Sequence, residues 1–258
     1  MTELLTIEGF TELVHSRRSI RGFDQKRDVS DEQIESILET ARWAPSGGNG
    51  QPWEFIVIRD RDKRHAIADL YLKQLEDKKE MEKALRGYTK MPGDGFRHAP
   101  VHILVVGDPR VNASYPVRTI LDKGDRHFFS GLANACYAMH LAARALGLGA
   151  QYMSDAGSPY MSTMLKVMLG IPDPLVVYEL IPIGYTHKWP NATPRRPLKE
   201  IIHRERYEPE KYRDEAKMNE FLFGQSRIGS FGNAAKAKPG QEELSPEELR
   251  QQADSEKV

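Results

Sequence analysis

The stretch Ala41-Arg-Trp-Ala-Pro-Ser-Gly-Gly-Asn-Gly-Gln-Pro-Trp-Glu-Phe-Ile-Val-Ile58 joins the end of an amphipathic helix to the start of a buried strand. Its centre, Pro45 to Gly50, holds three glycines and so leaves backbone with little side-chain cover, which suits close approach by a flat ligand. Ser46 and Asn49 supply short polar side chains, and Pro45 and Pro52 fix φ on either side. The same composition also suits an ordinary helix-to-strand turn. Its meaning therefore depends on what surrounds it.

Upstream, Ser30 reads as an N-cap and Gln33 as its capping-box partner, followed by Ile34, Ile37, Leu38 and Ala41 on one helical face. Residues 6 to 16 form a shorter helix with Phe10, Leu13 and Val14 at helical spacing. That helix delivers the chain to Arg17-Arg18-Ser19-Ile20-Arg21. Arg17 and Arg21, with a hydroxyl between them, can converge on one anion through forked donors that match phosphate geometry.

Downstream, Trp53 to Ile58 predicts a buried strand. Residues 61 to 90 are crowded with charge around a thin stripe of Ile67, Leu70 and Leu75, and read as a solvent-exposed helical excursion running towards Gly87 and Pro92–Gly95. Beside a ligand, such a segment would serve as a lid. Val101 to Val106 is a second buried strand, and the long loop after it carries Tyr115 and Arg118 as candidate substrate contacts. Phe128 to Leu146 is the longest apolar helix, rich in small residues that permit close packing at the core or at a subunit interface. Cys136 and His140 stand on it at i, i+4; without further ligands nearby they read as core or interface residues rather than a metal site. Ser158 and Pro159 open another helix that ends at Gly170, and Leu175 to Gly184 is a strand in which Pro182 predicts an edge or a bulge.

Composition narrows the class. The 258 residues suit one large domain or two small ones. With 37 basic and 37 acidic side chains, nothing in the charge favours nucleic acid or an anionic membrane. No apolar run approaches the ~20 residues that span a bilayer. Glu3 and Glu8 near the start do not fit a signal peptide. A single cysteine excludes an internal disulfide and any multi-cysteine metal centre. The expectation is a soluble cytoplasmic protein.

Taken together, Arg17-Arg18-Ser19-Ile20-Arg21 and the Ala44-Pro-Ser-Gly-Gly-Asn-Gly-Gln-Pro-Trp-Glu-Phe55 run resemble the nitroreductase family of FMN-dependent oxidoreductases, in that family's order and spacing. A third segment, Ala145-Leu-Gly-Leu-Gly-Ala-Gln-Tyr-Met-Ser154, is similar to the family's stretch beside flavin N5, and Pro194 to Ile202 resembles its closing Arg-Lys-Pro-Leu-Glu-Glu. The resemblance implies an α/β (α+β) fold, with a mixed central sheet flanked by helices and assembled as an intertwined homodimer. It implies FMN held at phosphate and ribityl by Arg17, Ser19, Arg21 and Arg195, with Arg18 through its backbone and Arg196 as a substitute for Arg195. Pro45, Ser46, Gly47 and Asn49 would line the ring, and Met153 and Ser154 would lie against it. It covers residues 10 to 203 or so. The implied domain is 1–203, then an extension at 204–231 with aromatic anchors that wraps the fold or a partner subunit, then a disordered tail at 232–258.

The implied reaction is ping-pong: hydride passes from NADPH or NADH to flavin N5, then to a small acceptor such as a nitroaromatic or a quinone. No side-chain acid or nucleophile is required. Two other readings stay open. One is a reductive dehalogenase or flavin-fragmenting relative, for which Glu82, Tyr88 and Lys90 would mimic a substrate-gripping lid. The other is a non-catalytic FMN-binding or storage protein. No Gly-x-Gly-x-x-Gly motif indicates which nicotinamide is used.

Overall fold

The computed structural model describes residues 6–86, 93–114 and 117–228. Tyr88 and Lys90 of the candidate lid, Tyr115, Phe231 and the tail at 232–258 lie outside the described residues, as do the side chains of Glu82 and Arg118. The described residues divide into two compact units, one holding those of 6–80 and 93–190, the other those of 81–86 and 191–228.

The first unit is built on four strands, β1 (Trp53–Ile58), β2 (Val101–Gly107), β3 (Gly149–Ala150) and β4 (Val176–Gly184), in the order β1-β2-β4-β3. All three named ladders are antiparallel, so the four-stranded sheet is antiparallel and not mixed; the parallel bridge from Ser19 to Ala150 is isolated and lies outside the named strands. β2 is buried at every position, as its unbroken Val-His-Ile-Leu-Val-Val run requires of a strand covered on both faces.

One face packs on α2 (Asp31–Arg42) and α4 (Arg126–Ala145). Val101, Ile103, Val105, Ile181 and Ile183 of the sheet meet Ile34, Ile37, Leu132, Cys136 and Met139 there. The Ser30 and Gln33 capping box forms as the sequence predicts, with Gln33 N–H to Ser30 Oγ at 3.3 Å and Ser30 N–H to Gln33 Oε1 at 3.1 Å. On the other face His102, alternating with Ile103, meets Phe96, which stacks edge-on against Tyr71. Burial lowers the His102 pKa to about 4, against the opposing bond to Phe96, so the neutral ring donates Nε2–H to Phe96 O at 3.0 Å.

Two further expectations need correction. The segment after residue 61 is a helix, α3 (Arg61–Arg86), but its first half is no exposed excursion. Ile67, Ala68, Tyr71 and Leu75 are buried, because the spacing of those residues presents one apolar face to the fold. Pro182 marks neither an edge nor a bulge, since β4 lies between β2 and β3. Its carbonyl accepts Gln151 N–H at 3.2 Å, so its nitrogen faces the short β3 side and β2 loses no ladder bond. The bulge falls four residues earlier, at Tyr178, which stands extra between the pairs Val105–Glu179 and Val106–Val177.

α1 (Ile7–Ser16) is capped by Thr6, and α5 (Pro159–Leu169) ends at Gly170 with φ 66°. The second unit holds α6 (Glu215–Ile228), a stacked His203–Tyr207 pair at 4.3 Å, and Arg213 over the Phe221 ring at 4.8 Å. No helix among the described residues is long and apolar enough to cross a membrane.

Candidate functional site

α1 stops at Ser16, whose Oγ donates to Leu13 O at 2.9 Å and accepts from Arg144 Nε at 2.9 Å. Beyond it the chain is extended. Ile20 N–H donates to Ala150 O at 2.9 Å, and the buried Ile20 side chain fills the room left by the missing Cβ of Gly149. In extended backbone alternate side chains share a side, and Arg17, Ser19 and Arg21 occupy positions that alternate with Arg18 and the buried Ile20. Burial lowers the Arg21 pKa, with Tyr71 opposing, and a partly desolvated guanidinium is stabilised by an incoming anion. Arg18 behaves differently. Its guanidinium donates to the carbonyls of His15, Arg17 and Pro190 at 2.5, 2.8 and 3.2 Å, and so ties the arm to the rest of the unit.

The glycine loop is shaped by its own backbone. Ser46 Oγ accepts Gln51 N–H at 3.0 Å, and Asn49 N–H reaches Ser46 O at 3.1 Å. Gly48, Asn49 and Gln51 all hold positive φ, at 60°, 53° and 44°. Glycine and asparagine accept that region readily; Gln51 is held there by Ser46. α4 supports the loop from below: Asn134 Nδ2 donates to Pro45 O at 2.9 Å, and Gly131 lets Ser46 and Pro52 sit against the helix. A Cβ on Gly47 would lie 2.6 Å from the His127 ring. A pocket of about 190 Å³ opens between the loop and the start of α4.

The third segment leaves β3 at Ala150. Met153 is buried, and its N–H donates to Leu180 O at 3.1 Å, so that donor belongs to the sheet. The exposed Ser154 follows, where the chain coils through Ser154–Gly157. α3 stands over this coil. Lys78 pairs with Asp155, and Gln74 Nε2 donates to Ser158 Oγ at 2.7 Å. Burial pushes the Tyr71 pKa up to about 12, with Asp155 and Asp94 reinforcing and Arg21 opposing. Tyr71, Gln74 and Lys78 thus join Arg21 and Asp155 in one neighbourhood. Sequence reasoning missed these three; their i, i+3, i+7 spacing within a charged helix was the available signal.

Behind the coil lies a partly buried polar cluster, also missed. The bulge turns Tyr178 towards Tyr152, which donates its hydroxyl proton at 3.2 Å. His140 stacks on the Tyr152 ring at 5.6 Å, and burial, with Arg17 adding, lowers its pKa to about 4. Glu179 is 1% exposed, and burial, with Asp155 adding, raises its pKa to about 9. Burial first and Glu179 second raise the Cys136 thiol as well. Burial thus favours the uncharged form of each member. An ionisable residue inside the otherwise apolar Val176–Gly184 strand was the signal.

Arg195 and Arg196 belong to the second unit, where each is engaged locally. Arg195 Nη1 donates to Thr193 Oγ1 at 2.6 Å, and Arg196 Nη2 to Glu200 O at 3.0 Å.

The sequence model of the Nitroreductase family matches residues 14–185. A protein of Archaeoglobus fulgidus, provisionally named NADH dehydrogenase/NAD(P)H nitroreductase, is 32% identical over 179 residues, which is 69% of this chain and 86% of that one. Iodotyrosine deiodinase 1 of Sus scrofa is 27% identical over 208 residues, 75% of this chain and 67% of the relative. A provisionally assigned nitroreductase of Desulfovibrio desulfuricans, solved in complex with FMN, superposes with a TM-score of 0.58 at 28% identity, over 79% of this chain and 100% of that structure. With its family model spanning most of the chain, and the arginine arm and glycine loop folded on the sheet that those structures share, this protein belongs to the nitroreductase family.

Proposed function

We propose that the protein is a cytoplasmic, homodimeric, NAD(P)H-dependent FMN oxidoreductase that reduces a small acceptor such as a nitroaromatic or a quinone. The observation that carries this reading is an extended arm, bridged at Ser19 to Ala150, in which Arg17, Ser19 and Arg21 occupy alternate positions. Two cations and a hydroxyl in that arrangement suit a phosphate and its ribityl chain. The glycine loop offers the complementary surface: bare backbone, held rigid by Ser46 and Asn134, on which a flat ring can lie.

In this reading Arg17, Ser19 and Arg21 hold the phosphate end, joined by Arg195 or Arg196. Pro45, Ser46, Gly47 and Asn49 line one side of the ring, and Met153 with Ser154 the other. Bound FMN supplies the hydride-accepting and hydride-donating chemistry. The protein's part is to bind and orient. Lys78, kept in place by Asp155, brings a positive charge to the coil that follows Met153.

A homodimer is supported by two features. Gly131 beneath the loop and Arg144 beside α1 are about 20 Å apart along α4, so one chain sets the two motifs at opposite ends of a helix. Phe129, Tyr137 and Tyr152, on and beside that helix, are left exposed in a single chain.

The purified protein is expected to be yellow, with its band at about 450 nm bleaching anaerobically when NADPH or NADH is added. Arg17→Ala or Arg21→Ala weakens FMN binding about 100-fold, since a charge-assisted bond to phosphate contributes about 1.5–3 kcal/mol. Circular dichroism of both variants should match wild type. A protein that takes up no FMN overturns the reading. A flavin that no nicotinamide bleaches would instead favour dehalogenation, flavin fragmentation or storage.

A further inference from the structure

We propose that the pocket between the glycine loop and the start of α4 is an oxyanion subsite, which receives a carboxylate or phosphate carried by one of the enzyme's two substrates; this rests on the oxidoreductase reading above. The pocket of about 190 Å³ is lined by Ser46, Gly47, Gly48 and Gly50 on one side and by Lys123, His127 and Asn112 on the other. Drug-sized ligands occupy roughly 300–1,000 Å³, so this volume takes a small group and not a whole flavin ring.

Three observations select an anion. The ionisable side chains lining the pocket are both basic, Lys123 and His127, and neither makes an ion pair among the described residues. The acidic side chains nearest in the sequence, Asp122 and Asp125, do not line the pocket, and Asp125 is engaged by Asn112, whose Nδ2 donates to its Oδ1 at 2.9 Å. That diversion leaves α4, a twenty-residue helix, with no side-chain cap, so the positive end of its dipole faces a pocket that its own second and third residues line. Gly47 completes the arrangement. Because a Cβ there would lie 2.6 and 2.7 Å from the Nδ1 and Cγ of the His127 ring, only glycine lets the imidazole close over the loop.

The group recognised is thus a small oxyanion attached to a larger molecule. Two sources share that chemistry: an acceptor bearing a carboxylate, or the extra phosphate of NADPH. The test compares 4-nitrobenzoate with nitrobenzene as acceptors, and NADPH with NADH as reductants, in wild type, Lys123→Gln and His127→Gln, with Arg110→Gln as a control. Arg110 is exposed, pairs with Asp108 and does not line the pocket. The ratio of kcat/KM for the anionic member of a pair to that for its neutral partner should fall about tenfold in Lys123→Gln and severalfold in His127→Gln, and stay at the wild-type value in Arg110→Gln. A fall confined to the acceptor pair assigns the carboxylate, and one confined to the reductant pair the phosphate. Ratios that match wild type in both pairs overturn the subsite. Calorimetric titration of the FMN-loaded protein with benzoate and with inorganic pyrophosphate provides a readout without turnover. Should no nicotinamide reduce the protein, Lys123→Gln must still weaken one of these about tenfold, and equal affinities in variant and wild type overturn the proposal.

Discussion

Glu179→Gln should be more stable than wild type at pH 8, and its advantage should vanish near pH 5. The Glu179 carboxyl is 1% exposed on β4, and burial, with Asp155 adding, raises its pKa to about 9 from an ordinary value near 4.5. Its surroundings do not welcome charge: Cys136 and Tyr152 have their own ionisation raised, first by burial and then in part by Glu179 itself. The sign follows from linkage. Between about pH 4.5 and 9 the folded protein keeps the Glu179 proton while the unfolded chain has lost it, so unfolding releases a proton and stability falls as pH rises. The fall is at most about 1.4 kcal/mol per pH unit. Glutamine is a neutral isostere and removes it. For a chain of this size the variant's Tm should exceed wild type by up to about 10 °C at pH 8. Thermal melts from pH 5 to 9 measure this; two parallel curves would show that Glu179 ionises without cost in the fold.

The second large effect joins stability to the site. Gly95→Ala should lower Tm by about 5–10 °C and weaken FMN binding at least tenfold. A Cβ on Gly95 would collide with the carbonyl oxygen of Arg21. Both sides of that contact are backbone, so no rotamer change relieves it, and the arm carrying Arg21 must move. Gly93→Ala is the internal control: nothing lies within 4 Å of a Cβ there. It should stay within about 0.5 kcal/mol of wild type and bind FMN normally. Equal behaviour of the two variants, measured by thermal melting and flavin fluorescence, would remove Gly95 as the support of Arg21.

Much of the frame was legible before any coordinates. The Ser30–Gln33 capping box, the Gly170 helix stop and the largely apolar run of β2 are local signals, settled by neighbours a few residues away. The arginine arm and the glycine loop were visible as candidates for the same reason, because their residue types and spacing fall within short segments. What was misread had its cause at long range. α3 looked like a solvated helix because its charges outnumber its apolar residues, yet Tyr71 meets Phe96 and Lys78 meets Asp155, both distant in sequence. The Arg18 side chain was given no role, and only the carbonyl of Pro190, brought alongside by the fold, shows it to be a tether.

By itself, then, the sequence determined α1 to α5, the strands β1, β2 and β4 and the family, since capping, hydrophobic period and motif spacing act over a few residues or one turn, whereas α6 went unread. Only the tertiary structure decided the strand order that places Pro182 inside the sheet, the bulge that turns Tyr178 towards Tyr152, and the burial that keeps Glu179 protonated. It also decided that Lys123, His127 and three glycines face one another across a pocket. Those features depend on which surfaces come together and how much water they exclude, and no local spacing encodes that.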